Sequence, residues 1–121
     1  MAEKRRKEQN QAKAFLKRYA PMAAYKRHLM MSDEEHPENL ERANAVCVEV
    51  VEVIDAVQNV RYRDLLMMRY VYRWSWHRIL YEMSLCGYSR SASYEMHGRA
   101  LQVVDKIIKS RNENKSRTNL D

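Results

Sequence analysis

Between Arg73 and Arg99 the chain carries side chains suited to recognising a polyanion by hydrogen bonds and charge, not to making bonds. Ser89 is the type of residue that accepts a backbone N–H as the N-cap of a helix. From a helix so capped, Arg90, Ser91, Tyr94, Glu95 and Gly98 face outward, while Ala92, Ser93, Met96, Ala100 and Leu101 turn inward. Side chains near the N-terminal end of such a helix reach base edges in a DNA major groove, and Arg90 carries the planar fork that pairs with O6 and N7 of guanine. Arg73 and Arg78, on the preceding helix and its lead-in, suit phosphates, which position a protein without reading sequence. Arg99 completes the expected DNA-contacting set of Arg73, Arg78, Ser89, Arg90, Ser91, Tyr94 and Arg99.

Other chemistries find little material. Two glycines leave no Gly-x-Gly and no Gly-Lys-Ser/Thr loop to cradle a phosphate or a dinucleotide. His28, His36, His77 and His97 are scattered, no His or Cys pair has metal-ligand spacing, and each histidine reads as a surface or packing residue. The acids between residues 33 and 55 stand singly on helix faces, a poor basis for acid–base catalysis. No enzyme, cofactor or metal is expected. Cys47 and Cys86 read as two buried free thiols in a reducing compartment.

The elements that must place these residues are short helices. A helix from about Tyr62 to Tyr72 carries Leu65, Leu66, Met68 and Val71 inward at helical spacing. Ser75 caps a second helix with Trp76, Ile79, Leu80 and Met83 on its apolar face, and Gly87 ends it by supplying a left-handed backbone. Helix, short glycine-containing turn, helix is the helix-turn-helix arrangement. The ordered signatures Leu65-Leu66-x-x-Arg69-Tyr70, Trp74-Ser75-Trp76-x-x-Ile79, Gly87-Tyr88-Ser89 and Arg99-Ala100-Leu101 resemble region 4 of bacterial sigma factors. The resemblance is greater to sigma-region-4-like phage late-gene regulators of the ArpU and RinA type, in which His-Gly-x-Ala-Leu, here His97 to Leu101, commonly closes the recognition helix. It covers about forty of the 121 residues. It implies a sequence-specific regulator of phage or prophage genes, an activator by type, that binds double-stranded DNA and acts with host RNA polymerase in the bacterial cytoplasm. Two positions depart from the pattern. Ser93 stands where a valine-like core residue is usual, and Glu95 where a basic residue is common.

Elsewhere the chain reads as all-α, since two glycines and two prolines leave little room for the turns of a sheet. Residues 1–11 are polar all round and read as a basic flexible arm. Residues 12–60 read as a helical hairpin, with one arm from Ala12 to Met31 interrupted at Pro21 and the other from Asn39 to about Val60. Ser32 to Glu38 forms the loop between them. The second arm is rich in valine, but Glu49, Glu52 and Asp55 recur at the helical period and exclude a strand. Its stripe is broad enough to pack either on the helix-turn-helix, as intramolecular core, or on a second copy in a homodimer. Residues 61–109 hold the helix-turn-helix, and 110–121 read as a disordered polar tail.

Net charge is +6, divided very unevenly. Residues 1–30 hold nine Lys/Arg against two acids, 31–60 one against eight, and 61–121 twelve against six. The basic ends suit DNA. The acidic middle supports an alternative in which the motif is only a scaffold and the 33–55 surface binds a basic partner. No apolar run is long enough for a membrane span, and no signal peptide is visible.

Overall fold

A computed structural model describes residues 2–32 and 34–120, with the side chains of 116–120 excepted. Asp33 of the acidic loop and the last side chains of the expected tail lie outside the described residues. The protein is all-α: α1 (Ala2–Leu16), α2 (Tyr19–Met31), α3 (Pro37–Asp55), α4 (Val60–Leu66) continuing into a π-helical turn (Met67–Val71), α5 (Trp76–Leu85) and α6 (Arg90–Leu120). No strand occurs among the described residues.

Helices α2 and α3 form the N-terminal hairpin. Pro37 opens α3 at a position where a missing N–H costs nothing, and Glu38 beside it suits the positive end of the helix. From there Ala43, Cys47, Val50, Val53 and Ile54 fall on one buried face at steps of three and four. The helix stops at Asp55, earlier than the expected Val60. Asn59 explains the stop: its Oδ1 accepts the N–H groups of Arg61 and Tyr62 at 3.0 and 3.1 Å. That cap needs Asn59 extended, so α3 must end before it and α4 must begin after it.

The interruption expected at Pro21 falls one turn earlier, at Lys17 and Arg18, and Pro21 itself lies in the first turn of α2. Proline has no N–H to offer the carbonyl four residues back, and its ring crowds that carbonyl, so the break appears at Lys17.

Helix α1 differs most from expectation. Over the described residues 2–11 the expected flexible arm is helical, and α1 lies along α6 instead of extending the hairpin. Ala12 and Leu16 are fully buried there, and Gln9 donates from Nε2 to the Gly98 carbonyl at 3.3 Å. A β-carbon at position 98 would stand 3.0 Å from Gln9 Nε2, so glycine permits the close approach. Gly98 is therefore half-buried beneath α1, not outward-facing as expected. Helix α6 runs on through the expected tail to Leu120, braced by Lys109 on Asp105 (2.8 Å) and by Arg111 on Glu52 of α3 (3.5 Å).

Two apolar clusters result. The larger joins Ala12 and Leu16 of α1 to Val50, Val53, Ile54 and Val57, to Leu66 and Tyr70, and to Ala100, Leu101 and Val104 of α6. The broad valine stripe that suggested a second copy is thus filled within the chain. The smaller cluster, Leu65, Ile79 and Met83, sits under α4 and α5 with Trp74, Trp76, Tyr88 and Met96 around it. No helix among the described residues is long and apolar enough to cross a membrane.

Candidate functional site

Three local devices fix α5 and the start of α6. Ser75 Oγ accepts the Arg78 N–H at 3.2 Å and starts α5. At the other end Gly87 has φ +90°, and two backbone bonds close the helix: Gly87 N–H to Ser84 O at 3.0 Å, and Tyr88 N–H to Met83 O at 3.1 Å. This paired pattern satisfies carbonyls that the last turn would leave orphaned. Ser89 Oγ then accepts the Ala92 N–H at 3.1 Å and caps α6. Ser93, fully buried where a valine-like residue was expected, donates its hydroxyl to the Ser89 carbonyl at 2.8 Å. The departure from the pattern is accommodated, because the buried hydroxyl has a partner.

The first turns of α6 divide sharply by exposure. Arg90, Ser91, Tyr94 and Glu95 are exposed, whereas Ser93, His97, Ala100 and Leu101 are buried. Arg90 holds its guanidinium 5.8 Å from the Tyr94 ring centre, and that ring leans on Trp76 at 5.0 Å. An arginine lying along an aromatic ring loses less freedom when it binds a partner than an unsupported one does. Arg78 is exposed too, with its guanidinium 3.6 Å from the centre of the Trp74 ring. Arg73 is exposed in the link before α5, with φ +60°.

Arg99 stands apart from the other candidates. Its Nη2 lies 2.6 Å from Glu95 Oε1, one turn back, with both side chains exposed. Glu95 therefore engages Arg99 and leaves Arg90 without a carboxylate partner among the described residues. Such an exposed pair is worth well under about 1 kcal/mol and gives way readily to a phosphate.

Beneath the exposed turn lies a buried aromatic and polar layer. Tyr70 Oη and His97 Nε2 share a hydrogen bond at 2.8 Å, the two rings stack at 5.8 Å, and Trp76 meets His97 edge-on at 4.8 Å. Burial, with the nearby charges of Lys13 and Arg69, lowers the His97 pKa to about 4. Burial raises Tyr70 to about 12. Both groups stay neutral near pH 7, so the layer anchors α6 without a buried charge. The π-helical turn brings Tyr70 to this layer, where the Tyr72 N–H reaches the Met67 carbonyl at 2.8 Å. Arg69, from the same turn, donates to the Trp74 carbonyl at 3.2 Å and lies 5.2 Å from the Trp76 ring centre.

Arg69, Tyr70 and His97 were not among the expected site residues. The sequence held a signal for Tyr70, which follows the buried Leu66 by one helical turn; His97 stood out only as the start of the His-Gly-x-Ala-Leu signature, which does not name a partner 27 residues away. Cys47 is buried as expected, but Cys86 is exposed in the turn, with Arg61 Nη1 3.3 Å from its sulfur. Among the described residues no group of three or more His, Cys, Asp or Glu side chains is gathered as metal ligands would be. The chain matches no family model, no curated protein and no solved structure.

Proposed function

We propose that the chain is a sequence-specific DNA-binding transcription regulator of phage or prophage genes, of the late-gene activator type its motifs resemble, acting with host RNA polymerase in the bacterial cytoplasm. The observation that carries the reading is the first turn of α6. Arg90, Ser91 and Tyr94 project from a helix whose opposite side is locked by Ser93, His97, Ala100 and Leu101. A helix held on one side and bare on the other can enter a major groove without rearranging.

In that groove Arg90 makes the bidentate contact to guanine, while Ser91 and Tyr94 lie beside neighbouring base edges. Arg73 and Arg78 hold phosphates, and Arg99 joins them by leaving Glu95. Glu95, freed, accepts from cytosine N4. Selection of bound fragments from the genome of origin gives the operator. On that operator Arg90→Ala should cost about 1–3 kcal/mol and relax preference at one base pair. A scrambled duplex serves as control: equal loss on both would reassign Arg90 to the backbone. Wild-type affinity should fall steeply between low and physiological salt, as counterions leave the phosphates. Affinity flat across that range, or no duplex bound at all, would sink the reading in favour of a protein partner for the exposed Glu38, Glu41 and Asp55 of α3.

A further inference from the structure

We propose that Lys13, Lys17, Arg69 and Arg73 form a cradle for the sugar–phosphate backbone of the same duplex, extending the contact from α6 onto α1. This rests on the reading that α6 enters DNA, and it assigns to α1 a role that the motif alone does not contain. Two adjoining cavities make up the cradle. One, of about 260 Å³, is lined by Lys13, Lys17 and Arg69 and reaches Tyr94 on the exposed face of α6. The other, of about 230 Å³, shares Lys17 and Arg69 with the first and ends at Arg73. The groove is therefore continuous with the base-reading face.

Its charge is uncompensated. Among the described residues none of the four cations forms an ion pair, although Lys109, Arg99 and Arg111 each do so elsewhere. Lys13 and Lys17 stand one helical turn apart, the Lys17 N–H reaching the Lys13 carbonyl at 2.8 Å, and like charges at that spacing weaken a helix. A bound anion turns that pair from a liability into a contact. Arg69 is already oriented by the Trp74 carbonyl and the Trp76 ring. The downward push of Lys13 and Arg69 on the His97 pKa marks the same positive field at the floor of the groove.

The occupant is a duplex backbone, not a single strand. Single-strand binders stack bases on free aromatic faces. Here the Trp76 ring is packed between Tyr94, His97 and the Arg69 guanidinium. A strand of duplex passing Tyr94 would present successive phosphates to Arg69 and the lysines, then to Arg73.

The test uses the full chain with Lys13→Gln and Lys17→Gln combined, titrated against the selected duplex, a scrambled duplex and a single strand of equal length. The double variant should weaken both duplexes alike, roughly tenfold, and lower the salt slope by about two units, with base preference unchanged. Lys13→Arg with Lys17→Arg should restore both. Thermal unfolding reports whether the Gln variant folds; if it does not, Lys17→Gln alone, at an exposed site, should lower the slope by about one unit. Unchanged affinity and slope in a folded variant would overturn the cradle, and Arg90→Ala would still lose preference, which leaves the α6 reading intact. Wild-type protein that binds no duplex overturns both. Tighter binding of the single strand than of either duplex would overturn the duplex assignment.

Discussion

The α2–α3 hairpin and the α5–α6 unit are held by different forces. Within the hairpin, α3 is held by apolar burial in the core it shares with α1 and α6, where Val50, Val53 and Ile54 are at most 1% exposed. Helix α2 buries no residue and reaches α3 through an exposed bond from Lys26 Nζ to Asn44 Oδ1 at 2.7 Å, and neither Arg18 nor His36 caps its helix with a side chain. Its far end leaves Met30 and Met31 66% and 85% exposed. In α5–α6, by contrast, Ser75, Gly87 and Ser89 close successive helix ends, and the buried Ser93, Tyr70 and His97 are hydrogen-bonded. Burial is non-directional and tolerates sliding; hydrogen bonds fix an orientation. A hairpin needs only to be stable, whereas the DNA contact proposed for α6 would require a few side chains at fixed positions.

The largest effect should come from the first of these regions. Val50→Glu or Ile54→Glu places an unpaired carboxylate at a site with no exposure, in a core shared by α1, α3 and α6. The cost, several kcal/mol, is comparable with the whole stability of a small domain. Circular dichroism should show no cooperative melt. A native-like melt from either variant would mean that the stripe faces something other than the core, and the contrast between the regions would fail.

Next in size is the pH response of the polar layer. His97 has a pKa of about 4 when folded against 6.5 in the unfolded chain, so the unfolded state takes the proton first. Stability from this group is fully present above pH 6.5 and is lost as pH falls towards 4, by about 3 kcal/mol in all. Tyr70 acts at the other extreme: with its pKa raised to about 12, its contribution holds below pH 10 and disappears between 10 and 12. Urea unfolding of the wild type and of His97→Gln at pH 7, 5.5 and 4 separates His97 from the carboxylates. The wild type should lose more over that range than the variant. Parallel losses would show that the layer is open to water and does not anchor α6.

A smaller effect is expected at the turn. Gly87 has φ +90° and open space where a β-carbon would stand, so the cost of Gly87→Ala is backbone strain, partly offset because alanine loses less freedom than glycine on folding. Strain of about 1–2 kcal/mol less an offset of about 0.5–1 kcal/mol leaves a net penalty of up to about 1.5 kcal/mol. Chemical denaturation gives the number, and a neutral result would mean that the turn relaxes and the direction of α6 is less fixed than its bonding implies.

Features set by neighbours in the chain were legible in the sequence. Glycine scarcity and helical periodicity indicated an all-α chain, the valine-rich stripe gave the buried face of α3, and Ser75, Gly87 and Ser89 announced their caps because a cap depends on residues within one turn. Features set across the chain were not. Only Ala12 and Leu16 of α1 are buried, so residues 1–11 read as a flexible arm and 12–16 as the start of the hairpin, and the docking of one continuous helix on α6 went unread. The Glu95–Arg99 pair had the right spacing, but sequence alone does not say that Arg90 would turn to Tyr94 instead. Cys86 sits on the apolar side of its helix pattern yet emerges in the turn, where Gly87 redirects the chain.

Arg73 lies where the two kinds of construction meet, and an equally small effect on stability, of opposite sign, is expected there. Among the described residues it alone, other than glycine, has a positive φ, +60°. The left-handed conformation costs an L-residue about 1–2 kcal/mol. Glycine would remove that strain but lose about 0.5–1 kcal/mol more backbone freedom on folding. Arg73→Gly should therefore shift stability by no more than about 1.5 kcal/mol, with the variant the more stable if either. An arginine held in this conformation gives the fold no more than glycine would once the two effects are balanced, which fits the phosphate contact proposed for its guanidinium. Titration of the variant should show weaker binding to operator and scrambled duplex alike, with the salt slope lower by about one unit. Binding unchanged in a variant of equal or greater stability would make Arg73 a turn residue only, and would confine recognition to the capped unit beyond it.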